Sequence, residues 1–213
     1  HANAGVLDYT TDGGRTTYDA MTKQVQPKGE PLFGCTEEDL FQFLVDVSNR
    51  ANEYKWSATG AILSIPPLLL TEGVPARNLI EMYGAVTMQE IEAHDASYMQ
   101  THSRNAQDNL ALYKCLMNSL NKEGKEKVAL RSHEYHAGPE GSGPLLLKVI
   151  IAESHIDTSA TILTIRNKLN NLPEYLPSIV HDIDKFNKYV KHLVLSLQAR
   201  GEHTTNLIVN LFS

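Results

Sequence analysis

The chain has 213 residues and a formal net charge of −6 at neutral pH. This length allows one domain or two small ones, and it is long enough to bury a substantial core. A dedicated nucleic-acid-binding domain is typically basic, so the negative charge argues against one. No apolar run approaches the roughly 20 residues that a membrane-spanning helix needs, and the first residues carry no signal-peptide pattern.

Residues 1–31 are predicted to form an N-terminal arm, because they mix turn formers with few apolar residues. Tyr18, Met21 and Val25 predict one short helix within it. The Asp12-Gly13-Gly14 sequence is interpreted as a turn, because it lacks the Asp-Ser/Thr-Gly pattern of an aspartic protease.

Residues 32–135 predict an N-terminal helical lobe. Thr36 is a candidate N-cap for its first helix, which has acidic residues in its first turn. The inner face of that helix is predicted to carry Leu40, Phe43, Leu44 and Val47. The apolar run 62–70 contains two prolines and therefore predicts a short helix followed by a loop. A further short helix is predicted to begin at residues 78–82.

Three longer helical patterns complete this lobe, over residues 87–102, 105–120 and 125–135. Trp56 follows the first amphipathic helix and is predicted to belong to the core rather than to a stacking site. Cys115 lies among apolar helical residues and is predicted to be an inert core thiol. Cys35 is a candidate for an exposed thiol, but no basic group that would activate it is visible in the sequence. We predict that both cysteines remain reduced and unpaired, as in a reducing compartment.

Residues 136–143 are rich in glycine and proline and form the predicted linker to a C-terminal lobe, residues 144–213. The segment Leu145–Ser154 is apolar almost all round, which predicts a buried helix opened by Pro144. Asp157 or Thr158 is a candidate cap for the next helix. The apolar positions predicted for that helix are Ile162, Ile165, Leu169 and Leu172.

The strongest helical pattern in the chain covers residues 178–200. Its apolar residues recur three or four positions apart and so lie on one stripe. The stripe consists of Ile179, Ile183, Phe186, Val190, Leu193 and Leu197. A last helix is predicted over residues 204–212. The chain stops at Ser213 inside that pattern, which we interpret as a processing site or an artificial end.

Several of these segments together carry a resemblance. They are LLLKVIIAESHIDTSATILTIRNKL, DIDKFNKYVKHLVLSLQARGE and NLIVNLF, preceded by FQFLVDVSNRANEYKW, YGAVTMQEIEAHDASYM and AQDNLALYKCLMNSL. In this order they resemble the Gag polyprotein of copia-type (Ty1/copia) LTR retrotransposons, and most closely the group common in diatoms. The resemblance covers roughly residues 33–213 and depends on the order of the segments, because no single short motif is diagnostic.

The resemblance implies an all-α capsid protein of retroviral-type architecture, with two small helical lobes joined by a short Gly/Pro linker. Such proteins self-assemble into cytoplasmic virus-like particles that enclose retrotransposon RNA. The implied partners are further copies of the chain and, weakly or indirectly, the element RNA, with no cofactor, metal, membrane or small-molecule substrate. The chain contains no CCHC zinc knuckle, protease, integrase or reverse transcriptase sequence, so the match concerns the capsid region alone.

Apolar residues left over near the C-terminus predict the assembly interface. Two of them flank the main stripe of the long helix, and the others lie on the last helix. They are Val180, Val194, Leu207, Ile208, Leu211 and Phe212. By analogy with other Gag capsids, the C-terminal lobe is expected to make a two-fold contact and the N-terminal lobe to form rings of neighbours. The alternative is a domesticated Gag-like helical adaptor that binds a protein partner in a groove.

Two groups of polar residues have the composition of a chemical site but a simpler explanation. His133 and His136 lie one helical turn apart and could bind a metal. Zinc sites usually need three or four protein ligands, so two surface histidines are the favoured interpretation. Ser154, His155, Asp157 and Ser159 contain the residue types of a catalytic triad. A triad requires geometry rather than adjacency, and helix capping explains these residues better.

A third group consists of the acidic residues Glu90, Glu92 and Asp95. Paired carboxylates can perform acid–base chemistry, but the solvated face of a helix is the favoured interpretation here. The sequence therefore predicts no catalytic constellation and no enzyme.

Overall fold

The computed structural model describes residues 5–69, 74–101, 103–136, 141–155, 159–179 and 182–199. Within these ranges the chain is mostly helical, which confirms the predicted all-α class. Its contacts divide it into two compact units, residues 1–154 and residues 155–213, here called unit 1 and unit 2.

The described part of unit 1 consists of helices and one short β-ladder. Its described helices are α1 (Asp12–Thr22), α2 (Glu37–Glu53), α3 (Met88–Thr101), α4 (Ser103–Ser119), α5 (Lys122–Ala129), α6 (Ser132–Tyr135) and α7 (Gly143–Ser154). The ladder joins β1 (Ser64–Ile65) to β2 (Arg77–Asn78) in antiparallel register, with Ser64 opposite Asn78. A 3-10 turn at Tyr83–Ala85 precedes α3.

Helix α7 lies at the centre of unit 1. It contacts α2, α3, α4, α5 and α6, so nearly all of its surface is covered by protein. Its buried apolar residues are Leu145, Leu146, Leu147, Val149, Ile150 and Ile151. The all-round apolar composition therefore correctly predicted a buried helix.

The predicted linker at residues 136–143 does not coincide with the boundary between the two units, which lies at Ser154–His155. Residues 137–140 lie outside the described ranges, but Ser142 and Gly143 are buried in unit 1. A Cβ atom on Gly143 would lie 2.7 Å from Cγ of Leu112 on α4. Glycine at this position thus permits a close approach between α7 and α4, rather than a hinge.

The predicted N-terminal arm is packed onto unit 1, because α1 lies against α4. Met21, near the C-terminus of α1, is fully buried. The Asp12-Gly13-Gly14 sequence, predicted to be a turn, begins α1 instead. Thr11 caps this helix, and its hydroxyl accepts a hydrogen bond from the Gly14 amide at 3.0 Å.

Three further local predictions in unit 1 are wrong. The short helix predicted at the start of the apolar run 62–70 is replaced by turn residues and β1. The short helix predicted to begin at residues 78–82 is replaced by the end of β2 and a turn. Residues 125–135 were predicted to form one helix, but the chain forms α5 and then α6. Asn121 caps α5 by accepting a hydrogen bond from the Gly124 amide at 2.8 Å, so this helix begins earlier than expected.

Unit 2 contains α8 (Ser159–Asn170), α9 (Leu172–Tyr175), a 3-10 turn at Leu176–Ile179, and α10 (Ile183–Ala199). One apolar cluster holds these elements together. Its buried members are Ile165, Leu169, Leu172, Leu193 and Leu197. Residues 200–213, including the predicted last helix, lie outside the described part of the chain.

The long helix of unit 2 begins at Ile183 rather than near residue 178. Asp182 caps it, since its Oδ1 accepts a hydrogen bond from the Lys185 amide at 3.1 Å. Phe186 and Val190 pack against the core as the predicted stripe requires. Ile183, predicted to belong to that stripe, is 60% exposed at the first turn of the helix.

Candidate assembly surface

The predicted C-terminal interface lies mostly outside the described residues. The positions concerned are Val180, Leu207, Ile208, Leu211 and Phe212. Val194 is described, and it is partly buried against the apolar cluster of unit 2. Its side chain therefore packs partly against the core of unit 2, and its place in an assembly interface stays a prediction.

A group of exposed apolar residues occurs instead in unit 1, in the connection between β1 and β2. We call its described residues, 66–69 and 74–76, the hairpin loop. Leu68 is 48% exposed, Leu69 is 79% exposed and Val74 is 47% exposed. Single exposed apolar residues are common on proteins, but Leu68 and Leu69 are adjacent in the chain, and neighbouring exposed apolar residues indicate a candidate interaction site.

The local sequence explains why the loop leaves the core at this point. Ile65, the last residue of β1, is fully buried, and Pro66 and Pro67 follow it directly. Proline has no amide hydrogen, so these residues cannot extend the ladder. Below the loop, the Leu79 amide donates a hydrogen bond to the Leu63 carbonyl at 2.8 Å. The ladder therefore ends where the exposed apolar residues begin.

An ion pair fastens the base of the hairpin loop to α3. Arg77 on β2 donates to Oε1 of Glu90 at 2.5 Å, and the two side chains are only 16% and 13% exposed. Arg77 also donates to the Ala85 carbonyl. Glu90 in turn accepts a hydrogen bond from the Thr87 amide at 2.9 Å, while the Thr87 hydroxyl accepts from the Glu90 amide. This reciprocal pair is a capping box at the start of α3.

The same contacts fix the charge state of Glu90. Burial acts to raise its pKa, but hydrogen bonds from Thr87 and Arg77, together with the positive charge of Arg77, outweigh burial and lower the pKa to about 2. Glu90 is therefore ionised at neutral pH and holds Arg77 as an ion pair. The hairpin loop thus combines exposed apolar residues with a base held by charged hydrogen bonds.

Unit 2 offers a second, weaker candidate surface. A shallow groove of about 390 Å³ is lined by polar residues of α8 and by two tyrosines. The rings of Tyr175 and Tyr189 stack with their centroids 4.0 Å apart and form one wall. Leu163 on α8 is 60% exposed. The groove is lined by both a positive side chain, Lys168, and a negative one, Glu174, so its charge indicates no particular class of ligand.

The residues that could have formed a catalytic triad or a metal site make other contacts, are exposed, or lie outside the described residues. The Ser154 hydroxyl donates to the Ile150 carbonyl at 2.8 Å within its own helix. Asp157 and the side chain of Ser159 lie outside the described residues. His133 is 78% exposed, and His136 lies 3.4 Å from the Tyr113 hydroxyl. Among the described side chains, no group of three or more His, Cys, Asp or Glu is placed to hold a metal ion.

The interpretation of Glu90, Glu92 and Asp95 as a solvated face is correct only for Glu92. Glu90 is paired with Arg77, and Asp95 is 6% exposed. Asp95 points into unit 1 because it shares a face of α3 with the fully buried Ile91, one turn earlier. The spacing of four residues between Ile91 and Asp95 was the signal that could have placed this carboxylate inside.

The single tryptophan and the two cysteines all belong to the core. Trp56 is 1% exposed, which confirms its prediction as a core residue. Cys115 is fully buried as predicted, and Cys35, a candidate for an exposed thiol, is only 2% exposed. Both thiols are unpaired, and burial raises the pKa of Cys35 to about 12 and that of Cys115 to about 11. Neither thiol is activated for nucleophilic chemistry.

None of the helices that the structure describes is both long and apolar enough to cross a bilayer. In comparisons with known proteins, no protein-family model, no curated protein and no solved structure matches this chain.

Proposed function

We propose that this chain is a structural capsid protein of the Gag type. It self-assembles into cytoplasmic virus-like particles around retrotransposon RNA and performs no catalysis. The observation that carries the proposal is the hairpin loop. It presents Leu68, Leu69 and Val74 to solvent from a base fastened by the Arg77–Glu90 pair. A shell subunit needs apolar contact surface held in a fixed orientation, since each contact must repeat with the same geometry.

Two further observations support the proposal. The chain is mostly helical and divides into two compact units, a number that agrees with the two expected lobes although the boundary lies at Ser154–His155. The ordered segments of the sequence resemble those of copia-type Gag proteins. In this assignment, unit 1 contributes the hairpin loop to contacts between neighbouring copies, and unit 2 is the place for a two-fold contact. RNA binding by this acidic chain is expected to be weak and sensitive to salt.

The contribution of the hairpin loop can be tested by sedimentation velocity over a wide range of protein concentrations. We expect the parent chain to form dimers or larger species as concentration rises. The double variant Leu68→Ser, Leu69→Ser should self-associate at least tenfold more weakly, because burial of two exposed leucines contributes several kcal/mol to a contact.

Leu130→Ser provides the matched control, because Leu130 is 81% exposed but lies outside the hairpin loop. We expect this variant to associate like the parent chain. Equal association of the parent chain and the double variant would remove the hairpin loop from the proposal. A monomeric parent chain at every concentration would favour the adaptor alternative, in which the same loop contacts a different protein.

A further inference from the structure

A cluster of buried polar groups lies where α3, α4 and α7 meet in unit 1. Oδ2 of Asp95 on α3 accepts hydrogen bonds from the Ser142 hydroxyl and from Nδ2 of Asn109 on α4, the latter at 3.3 Å. Oδ1 of Asn109 accepts a hydrogen bond from the Gly143 amide at 2.6 Å. The cluster therefore links two helices to the first residues of α7.

The same cluster caps α7. The Ser142 hydroxyl accepts a hydrogen bond from the Leu145 amide at 3.2 Å, and the Ser142 carbonyl accepts one from the Leu146 amide at 3.0 Å. The Ser142 hydroxyl has one hydrogen, which it donates to Asp95. Asp95 thus orients the capping group of the most buried helix of unit 1.

The negative charge of an ionised Asp95 is poorly compensated by its surroundings. It is 6% exposed, and its Oδ1 has no hydrogen-bond partner among the described residues. A buried carboxylate without a cationic partner is costly, and protonation removes that cost. Burial accordingly raises the pKa of Asp95 to about 6, although the hydrogen bonds from Ser142 and Asn109 oppose the rise.

The charged and titratable groups on the surrounding elements are engaged elsewhere. On α3, Glu90 binds Arg77, Glu92 is exposed, and the His94 ring lies 3.3 Å from the Ala61 carbonyl. On α4, Asp108 pairs with Arg104 at 2.9 Å, and the Tyr113 hydroxyl lies 3.4 Å from His136. On α7, Lys148 donates to the Tyr83 carbonyl, and Glu153 pairs with Arg131 at 3.3 Å. Strand β1 has no titratable side chain.

We propose that the Asp95–Asn109–Ser142 cluster is a proton-operated latch that holds the N-terminus of α7 against α3 and α4. Protonation of Asp95 tightens the latch, and ionisation loosens it. The direction follows from linkage. A carboxyl group whose pKa is higher in the closed state than in the open state stabilises the closed state at low pH. That stabilisation is lost as the pH rises through the pKa that the group has in the closed state.

The latch can be tested in the full chain by amide hydrogen exchange at Gly143, Leu145 and Leu146, with each rate corrected for its intrinsic pH dependence. Protection of these amides should increase roughly tenfold when the pH falls from about 7.5 to about 5, as linkage predicts for this pKa change. In Asp95→Asn the protection should be high and independent of pH, because the neutral amide keeps an oxygen for Ser142. A carbon-detected NMR titration should place the midpoint of Asp95 near pH 6.

Asp46→Asn is the matched control, because Asp46 is also a buried aspartate but lies on α2 and binds Gln42 at 3.0 Å. It should leave the pH dependence of amide protection at Gly143 and Leu145 unchanged.

Ser142→Ala provides a second variant of the cluster. The loss of a hydrogen bond to the ionised carboxylate should move the Asp95 midpoint to higher pH. A titration midpoint of Asp95 near that of an ordinary aspartate would overturn the proposal. It would also be overturned if amide protection in Asp95→Asn depended on pH as it does in the parent chain.

Discussion

At the scale of single residues, Arg50 on α2 shows how one side chain attaches the N-terminal segment to unit 1. Its Nη1 donates to the carbonyls of Ala20, Met21 and Lys23 at 2.8–3.1 Å, and its Nη2 donates to the Gln24 carbonyl at 3.2 Å. These carbonyls lie at the C-terminal end of α1, where backbone acceptors lack helical partners and the helix dipole is negative.

Replacement of Arg50 by alanine should therefore weaken the attachment of α1 to the rest of unit 1. We expect the free energy of unfolding to fall by about 2–4 kcal/mol, since several charged hydrogen bonds are lost together. Urea unfolding followed by circular dichroism measures this change. Arg15→Ala is the control, because Arg15 makes an exposed ion pair with Asp12 and should change stability by less than about 0.5 kcal/mol. Equal effects of the two variants would refute the role given to Arg50.

The Arg77–Glu90 pair gives a prediction about acid stability. The folded-state pKa of Glu90 is lowered to about 2, below its ordinary value of 4.5. A carboxylate with a lowered pKa stabilises the folded state above its unfolded-state pKa, and this contribution is lost as the pH falls toward the folded value. Glu90→Gln should therefore reduce the stability of unit 1 at neutral pH. It should also make the stability less dependent on pH between the folded-state pKa of about 2 and the ordinary pKa of 4.5. Glu92→Gln, at an exposed position on the same helix, should preserve the pH profile of the parent chain in thermal melts.

At the scale of elements, helices with a clear apolar pattern could be predicted from the sequence, and the hairpin could not. Helix α7 was predictable because nearly every position is apolar, and α4 because its apolar residues recur at helical spacing. Each strand of the hairpin has only two residues, which is too short for an alternating pattern to appear. Its pairing depends on the register of Ser64 with Asn78 across an intervening loop, and local sequence does not encode that contact.

The start of α10 illustrates a second limit of sequence interpretation. The apolar spacing continues upstream through Ile179 and Ile183, so the pattern predicts an earlier helix start than the structure has. The decisive feature is the Asp182 side chain, which accepts a hydrogen bond from the Lys185 amide and so caps the first turn of α10. A capping contact of this kind decides where a helix begins, and the apolar spacing alone does not reveal that position.

The apolar cluster of unit 2 gives a prediction at this scale. Leu197 on α10 is fully buried in that cluster. Leu197→Ala should lower the stability of unit 2 by about 2–5 kcal/mol, because the smaller side chain loses apolar burial and leaves a cavity. Chemical denaturation monitored by NMR signals of α8 and α10 measures the loss. Leu163→Ala is the control, since Leu163 is 60% exposed on α8 and should have little effect.

At the scale of the whole molecule, the contacts place the boundary between the units at Ser154–His155 rather than in the glycine-rich segment 136–143. Glycine and proline predicted a linker because they are common in flexible segments. Gly143 instead permits close packing against Leu112, and α7 completes the core of unit 1. Composition alone does not distinguish a glycine needed for close approach from one in a linker.

This boundary predicts the behaviour of two fragments. Residues 1–155 should fold alone and melt cooperatively, because they retain α7 and the contacts of unit 1. Residues 1–142 should not show a cooperative transition, since removal of α7 exposes the apolar faces of α3 and α4. Circular dichroism melts and the dispersion of NMR spectra compare the two. A shorter fragment that melts as cooperatively as the longer one would restore the boundary at residues 136–143.

Assembly into closed particles is the core of the proposed function, and electron microscopy of the concentrated full chain tests it most directly. Shell formation sums many small repeated contacts, so it should appear above a threshold concentration and produce particles of uniform size. We expect such particles at hundreds of micromolar protein. They should be lost in the Leu68→Ser, Leu69→Ser variant and retained in Leu130→Ser. Fields without particles, together with a strictly monomeric sedimentation profile in both low and high salt, would contradict the claim.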